Sequence, residues 1–179
     1  DPVAGPGLDD LLEDLGQIAG VIVCLDRHRR DASRVANRHD VPVSLPTWFT
    51  GVAEELDAPV ERFGNELDDS GFRTLRLRDG RFWQEAGLYN EETGTLWVPE
   101  SVGAASYFLA SGERLGVHPA LRAIPPRRAL GSLTPEQILV GHGEGVDHDA
   151  SRALSDALAG SRKRMLGVYA KAARKALPF

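Results

Sequence analysis

Two loops of this chain carry residue types that could bind a metal ion or transfer protons. The first is Gly141-His142-Gly143, which follows the apolar run Ile138-Leu139-Val140 and presents an imidazole where a strand should stop. The second is the charged stretch from Asp26 to Ala32, which follows the apolar run Val21-Ile22-Val23-Cys24-Leu25. Imidazoles and carboxylates are the groups that hold catalytic zinc. The two loops therefore indicate a site for metal-assisted hydrolysis, or a site derived from such a hydrolase site.

The elements that must position the first of these side chains alternate between helix and strand. Residues 8–17 have leucines at helical spacing, residues 20–25 are typical of a buried strand, and residues 31–39 carry a helical stripe. Residues 41–45 predict the next strand, which completes a βαβ unit. Because Pro42 lacks an amide hydrogen, we expect that strand to lie near a sheet edge or to pair on one side only. A short helix over residues 47–56 should follow.

The second half of the chain predicts a mainly antiparallel sheet. Three strands are expected over residues 72–77, 85–89 and 96–98, and they should be antiparallel neighbours. Glycines and prolines indicate irregular structure over residues 101–131, with at most a short helix near 104–109. A strand at 138–140 and two helices, ending near residues 163 and 176, close the pattern. One domain over residues 1–179 is the expected organisation.

The upstream loop resembles a motif of the metallo-β-lactamase superfamily in altered form. In that family an early strand ends in the pattern His-any-His-any-Asp-His, and the corresponding residues here are Arg27, Arg29, Asp31 and Ala32. A helix and a short strand similar to Val41-Pro42-Val43 follow in the family. Of these upstream ligands, Asp31 alone is kept.

The downstream half carries the rest of the resemblance. The strand that ends at Glu100 is similar to the family's strand before its bridging aspartate, and Gly141-His142-Gly143 matches a late family loop in full. The family's middle histidine has no counterpart near residues 77–80. The resemblance implies an α/β fold, an αββα metallo-β-lactamase-like sandwich of mixed sheets. Because Asp1-Pro2 resembles the end of an earlier family strand, we expect some N-terminal strands to be lacking and the start to be shortened.

The resemblance further implies a dinuclear metal site that is largely erased. Asp31, Glu100 and His142 are its remnant metal ligands, and zinc, iron or manganese would be the ion if the remnant is occupied. Arg27 and Arg29 stand where imidazoles would bind, and their guanidinium groups stay protonated and repel a dication. We expect them to fill the vacated cavity and to pair with Asp31 or Glu100. A metal-free site with no cofactor is therefore the favoured expectation.

The histidines and the aspartate also have purely structural interpretations. We expect His142 to be a structural or solvated remnant, because its partners are missing. His28 lies out of register with the family motif and is expected to be an exposed loop residue, with a substitute ligand as the alternative. His118 and His148 are expected on the surface. Asp31 is expected to cap the following helix, which competes with any metal role.

Three functions of different classes remain open at this stage. The favoured one is a domain that keeps the fold with a degenerate, non-catalytic site. The second is a single-metal hydrolase that uses Asp31, Glu100 and His142, helped by His28. The third is an arginine-based module for anions or phosphate ligands. The residues of that third site are Arg27, His28, Arg29, Gly141 and Gly143.

Composition indicates which partners this chain is expected to have. The formal net charge of -5 argues against a generic nucleic-acid binder, and no apolar run reaches the length of a spanning helix. The single Cys24 excludes an intrachain disulfide and favours a reduced, cytoplasmic setting. If front strands are lacking, a sheet edge is left open, and we expect a homodimer or another chain to cover it.

Overall fold

A parallel sheet of three strands forms the first half of the fold. The computed structural model describes residues 1–176, so residues 177–179 of the predicted domain lie outside the described part of the chain. Helix α1 (Leu8–Leu15) leads into β1 (Val21–Ile22), and α2 (Ala32–His39) connects β1 to β2 (Val43–Pro46). Strand β3 (Val60–Phe63) completes the order β1-β2-β3. Since β1 and β2 are parallel, the predicted βαβ unit is confirmed.

The predicted edge position of residues 41–45 is wrong, because β2 lies between β1 and β3. Pro42 precedes the strand, and its carbonyl oxygen accepts a hydrogen bond from the Val21 amide at 3.0 Å. The Val43 amide, one residue later, donates to the Pro59 carbonyl at 2.8 Å. The missing amide hydrogen of Pro42 therefore interrupts no ladder.

The predicted helix over residues 47–56 is also wrong. Within that range the chain forms one 3-10 turn, Ala53–Glu55. The Thr47 amide donates to the Phe63 carbonyl at 2.9 Å, which ties this segment to β3. The side chains of Phe49 and Val52 are buried and anchor the crossover in the core. The apolar residues that suggested a helix are therefore the buried anchors of a loop.

The second sheet contains the predicted antiparallel strands. Strands β4 (Phe72–Gly80), β5 (Trp83–Asn90) and β6 (Thr95–Val98) pair antiparallel in sequence order. A separate two-stranded ladder joins β7 (Val102–Gly103) to β8 (Gly116–Val117). Strand β9 (Gln137–Val140) then adds to β6 in parallel, so the sheet order is β4-β5-β6-β9.

Three further helices lie in the second half of the chain, one before β9 and two after it. They are α3 (Arg127–Leu130), α4 (Ala150–Gly160) and α5 (Met165–Ala176). Residues 104–109 form a turn, in keeping with the irregular structure expected there, and α3 lies further along the same region. Both C-terminal helices agree with their sequence patterns.

The layers stack as helix, sheet, sheet, helix. Buried residues of α2 pack on the first sheet through Val35 and Ala36, and α4 packs on the second sheet through Leu154 and Leu158. A smaller cluster, Cys24, Phe63, Ala86 and Leu88, fills the space between the two sheets. This arrangement is the αββα sandwich of mixed sheets that the sequence implied.

Cys24 belongs to that inter-sheet cluster as a free, buried thiol. Burial raises the pKa of the Cys24 thiol to about 12, so the side chain acts as a small neutral core residue. Among the described residues, no helix combines the length and the apolar character that a membrane span requires.

The glycines of Gly141-His142-Gly143 are required by close packing. A β-carbon at Gly141 would lie 2.3 Å from the carbonyl oxygen of Pro99. One at Gly143 would lie 2.3 Å from the Ala105 nitrogen, and Gly143 has a left-handed φ of +93°. The backbone of this loop therefore lies directly against residues 99–105, an approach that any side chain would prevent.

We expect Gly141→Ala to lower the free energy of unfolding by about 1–3 kcal/mol, because the added methyl group meets backbone that cannot move aside. Gly167→Ala is the matched control, since a β-carbon there meets nothing within 4 Å and the residue lies in α5. The control should leave stability unchanged or raise it by up to about 1 kcal/mol. Urea denaturation measures both, and a Gly141→Ala protein as stable as the parent would refute the packing argument.

Candidate metal centre

Two strands of the second sheet deliver Glu100 and His142 to the same edge. β6 and β9 are parallel neighbours, and Val98 pairs with Val140 at their carboxyl ends. Glu100 and His142 each follow two residues later. Because parallel strands end on the same side of a sheet, their loops meet there.

The loop that carries His28 reaches this edge through β5. Leu25 forms an isolated antiparallel bridge with Glu85. The Asp26 amide donates to the Gln84 carbonyl at 3.1 Å, and the Gln84 amide donates to Asp26 Oδ2 at 2.8 Å. These bonds tie the loop after β1 to the start of β5, next to the ends of β6 and β9.

His28, Glu100 and His142 form the candidate metal centre. One ligand atom from each of them lies within 4.8 Å of the other two. His142 Nε2 is 3.9 Å from Glu100 Oε1, and the two imidazole rings are 5.5 Å apart, edge to face. His142 Nε2 is buried and has no hydrogen-bond partner among the described residues. A buried imidazole nitrogen without a partner, facing a carboxylate and a second imidazole, has the environment of a metal ligand.

A buried carboxylate fixes the backbone that carries Glu100. Glu85 is fully buried, and its Oε1 accepts hydrogen bonds from the amides of Glu100 at 2.9 Å and Ser101 at 2.7 Å. Its Oε2 accepts from the Ser101 hydroxyl and, at 2.8 Å, from Trp83 Nε1. Burial raises the pKa of the Glu85 carboxyl, while these four donors act in the opposite direction.

The Glu100 side chain is the point where the charges of the site meet. Its Oε2 accepts a hydrogen bond from Arg27 Nη2 at 2.6 Å, and its Oε1 lies 3.5 Å from His118 Nε2. The Arg27 guanidinium also lies over the Trp83 ring, 4.2 Å from its centroid. Arg27 is therefore held by a carboxylate on one side and by an aromatic face on the other.

Backbone and aromatic contacts fix His142. Its carbonyl oxygen accepts hydrogen bonds from the amides of Ala104 at 2.8 Å and Ala105 at 3.0 Å. Its ring stacks on Phe108 at 5.8 Å, and the half-exposed Tyr107 ring lies edge-on at 6.0 Å. The imidazole is thus oriented before any ligand arrives.

A second carboxylate orients His28. Its Nδ1 lies 3.3 Å from Asp1 Oδ2, which leaves Nε2 available to the centre. Asp1 Oδ1 in turn accepts from the Cys24 amide at 2.8 Å. Metal-binding histidines usually contact a carboxylate or carbonyl through their second ring nitrogen, and His28 has this arrangement.

The protonation state of the site suits a metal. Burial lowers the pKa of His28, His118 and His142, and the negative charge of Glu100 opposes the shift in each case. All three imidazoles are therefore biased towards the neutral form. A neutral imidazole is the form that coordinates metal ions.

The structure does not bring Asp31 to this cluster. Its carboxylate accepts hydrogen bonds from the Ala4 amide at 3.2 Å, from Arg34 at 3.0 Å and from Arg30 at 3.3 Å. It occupies the N-cap position of α2, as expected, but makes no side-chain capping hydrogen bond. In place of Asp31, His28 joins Glu100 and His142, because it is the side chain that the β5 contacts direct towards the strand ends.

The two arginines of the altered motif behave differently. The expected ion pair between Arg27 and Glu100 is present. Arg29 instead pairs with Glu55 and donates to the Asp26 carbonyl at 2.6 Å, so it lies on the outer side of the loop.

His118 also lies next to this cluster, a contact that the sequence pattern did not indicate. It was expected on the surface, yet only 19% of its side chain is exposed and it contacts Glu100. It follows β8, whose pairing with β7 brings it next to the loop after β6. Strands of two residues have no recognisable periodicity, so the sequence held no signal for this contact.

Comparisons with known proteins agree with this architecture. The structure of the metallo-β-lactamase DIM-1 exposed to ceftazidime is similar, with a TM-score of 0.54 and 13% identity over 86% of this chain and 74% of that one. The structure of TMB-1 is similar, with a TM-score of 0.54 and 12% identity over the same shares of the two chains. No family model and no curated protein sequence matches the chain. The chain therefore has a metallo-β-lactamase-like fold.

We expect acid to destabilise the metal-free protein as the pH falls below about 6.5, the ordinary histidine pKa. In that range the unfolded chain binds protons that the buried imidazoles of the folded chain do not, so unfolding is favoured. The stability that the neutral imidazoles contribute is fully present above the ordinary pKa, and it is lost as the pH falls towards their lower pKa in the folded chain. His142→Asn should reduce the pH dependence measured by urea denaturation between about pH 7 and pH 5.5.

His148→Asn is the control for this experiment, since the His148 side chain is 84% exposed. It should leave the pH dependence unchanged. Equal slopes for the parent protein and His142→Asn would show that the burial of His142 contributes nothing.

Proposed function

We propose that this chain is a mononuclear metal-dependent hydrolase in which His28, Glu100 and His142 hold the ion. The observation that carries the proposal is the buried Nε2 of His142, which faces a carboxylate and an imidazole and has no hydrogen-bond partner among the described residues. The metallo-β-lactamase-like fold supports it, because the site lies at the strand ends that the resemblance indicated. The ligand set replaces the Asp31, Glu100 and His142 set expected from the sequence.

The donor set fits a catalytic zinc site. Such sites use three protein ligands and leave one position open, and two histidines with one glutamate are a known combination. Ligands about 2.1 Å from a tetrahedral ion lie about 3.4 Å apart, and His142 Nε2 is now 3.9 Å from Glu100 Oε1. A side-chain shift of about half an ångström would bring these two atoms to the separation that a tetrahedral ion requires. Iron and manganese are the alternative ions.

A bound divalent ion would supply Lewis acidity and a more acidic water molecule. The protein would supply orientation and charge around it. Glu85 fixes the backbone of Glu100, and Asp1 fixes His28. Arg27 is 39% exposed and adjacent to Glu100, so it is placed to bind an anionic group of a substrate.

One observation favours a second candidate, a metal-free site for anions. Arg27 already neutralises Glu100 at 2.6 Å, and the two arginines of the altered motif line an open cavity of about 300 Å³ together with Arg81. Asp26 and Glu55 line the same cavity and offset part of its positive charge. This candidate corresponds to the arginine-based anion module, the third of the functions that the sequence left open.

Metal analysis separates the two candidates. Protein purified without chelators should contain about one equivalent of zinc, iron or manganese by plasma mass spectrometry, as a single-ion site requires. His142→Ala should lose that metal, because two ligands hold an ion weakly, whereas the exposed control His148→Ala should keep it. A metal-free parent protein that also fails to bind added zinc would refute the hydrolase proposal and favour the second candidate.

We also expect Arg27→Met to strengthen zinc binding by about tenfold or more. The substitution removes a positive charge that competes for Glu100, and repulsion over a few ångströms near a surface is worth roughly 1 kcal/mol or more. Arg30→Met is the matched control, since Arg30 lies in the same loop, is 77% exposed and pairs with Asp31. Titration against a chelating dye measures both. Unchanged or weaker binding in Arg27→Met would show that Arg27 does not oppose the metal.

A further inference from the structure

We infer that His118 is a positioning residue that holds Glu100 for the metal by donating a hydrogen bond from Nε2. The inference rests on the proposed metal site and adds a residue outside its ligand set. The His118 amide donates to the Ser101 carbonyl at 3.0 Å, so the backbone of His118 is attached to the corner that carries Glu100. The side chain then points back towards the Glu100 carboxylate.

A backbone contact determines which ring nitrogen carries the proton. The Ala120 amide donates a hydrogen bond to His118 Nδ1 at 3.2 Å. A nitrogen that accepts from an amide carries no hydrogen, so the neutral His118 ring has its proton on Nε2. That nitrogen lies 3.5 Å from Glu100 Oε1, a few tenths of an ångström beyond the usual N–H···O distance, so a small side-chain movement would complete the hydrogen bond. The fold therefore presents a donor to the carboxylate.

Aromatic neighbours keep the His118 ring in this orientation. Trp83 lies edge-on at 5.0 Å and Phe108 edge-on at 5.3 Å. With Nδ1 bonded to the backbone and Nε2 facing Glu100, His118 has no free nitrogen to offer an ion. It is also not one of the three residues whose ligand atoms lie within 4.8 Å of one another.

Together, His118 and Arg27 restrict the Glu100 carboxylate from both ends. Arg27 binds Oε2 and His118 faces Oε1, the same oxygen that lies 3.9 Å from His142 Nε2. The carboxylate plane is thus set before the ion arrives, and Oε1 is the oxygen presented to the metal. The positive charge of Arg27 still opposes the ion, whereas the neutral His118 ring orients the carboxylate without adding charge. An outer contact such as that of His118 typically changes metal affinity by about 10–100-fold.

Two substitutions test this role through zinc affinity, measured by competition with a chelating dye. His118→Ala should weaken zinc binding by about 10–100-fold. His118→Gln keeps an N–H donor of similar reach, so it should bind zinc within a few-fold of the parent. The cobalt-substituted Gln variant should keep the parent's absorption spectrum, because the ligands are unchanged.

Each other outcome overturns the inference. If both variants bind zinc like the parent, or if His118→Ala lowers only the melting temperature of the metal-free protein, His118 is a packing residue. If both variants weaken equally and the cobalt spectrum changes, His118 is a ligand. A parent protein that binds no zinc would instead refute the proposed function and, with it, this role.

A measurement without metal tests the donor directly. Long-range proton–nitrogen NMR spectra of the metal-free protein should show His118 as the neutral tautomer protonated on Nε2. His118→Gln identifies the signal by its loss. A ring protonated on Nδ1 would contradict the donor role whatever the zinc titration gives.

Discussion

The buried carboxylate of Glu85 is the constraint on which the site depends. A buried carboxyl group without partners is very unfavourable, and that of Glu85 accepts hydrogen bonds from two amides, a hydroxyl and an indole N–H. Two of those donors are the amides of Glu100 and Ser101, so the turn after β6 must follow the position of Glu85. Because Glu85 lies on β5, which also holds the loop after β1, one strand aligns two of the three ligand loops.

The other charged side chains of the site are arranged around Glu100, which lies in the turn after β6. Its carboxylate gathers one guanidinium and two imidazoles in a region where burial disfavours protonated histidine. Arg27 binds one oxygen of Glu100, and His118 and His142 face the other. An ion held by Glu100 would therefore share this carboxylate with a positive charge.

Much of the architecture could be predicted from sequence, since long periodic segments and the Gly-His-Gly loop carry strong local signals. The site could be predicted in part. Glu100 and His142 were identified from loops after recognisable strands, whereas the choice between Asp31 and His28 depends on how the loop after β1 is turned by its bonds to β5. His118 depends on the pairing of two-residue strands, and β2 is central because Pro42 falls just outside its ladder. Such features arise from tertiary contacts and leave no periodic pattern.

We propose that one ion lies between His28, Glu100 and His142. Anomalous diffraction at the zinc absorption edge, from crystals of the zinc-loaded protein, tests this position most directly. We expect one strong peak in contact with the two imidazole nitrogens and a Glu100 oxygen, with Asp31 and His118 outside coordination distance. A peak bound by Asp31, two peaks at this edge, or none there at full zinc loading would contradict it.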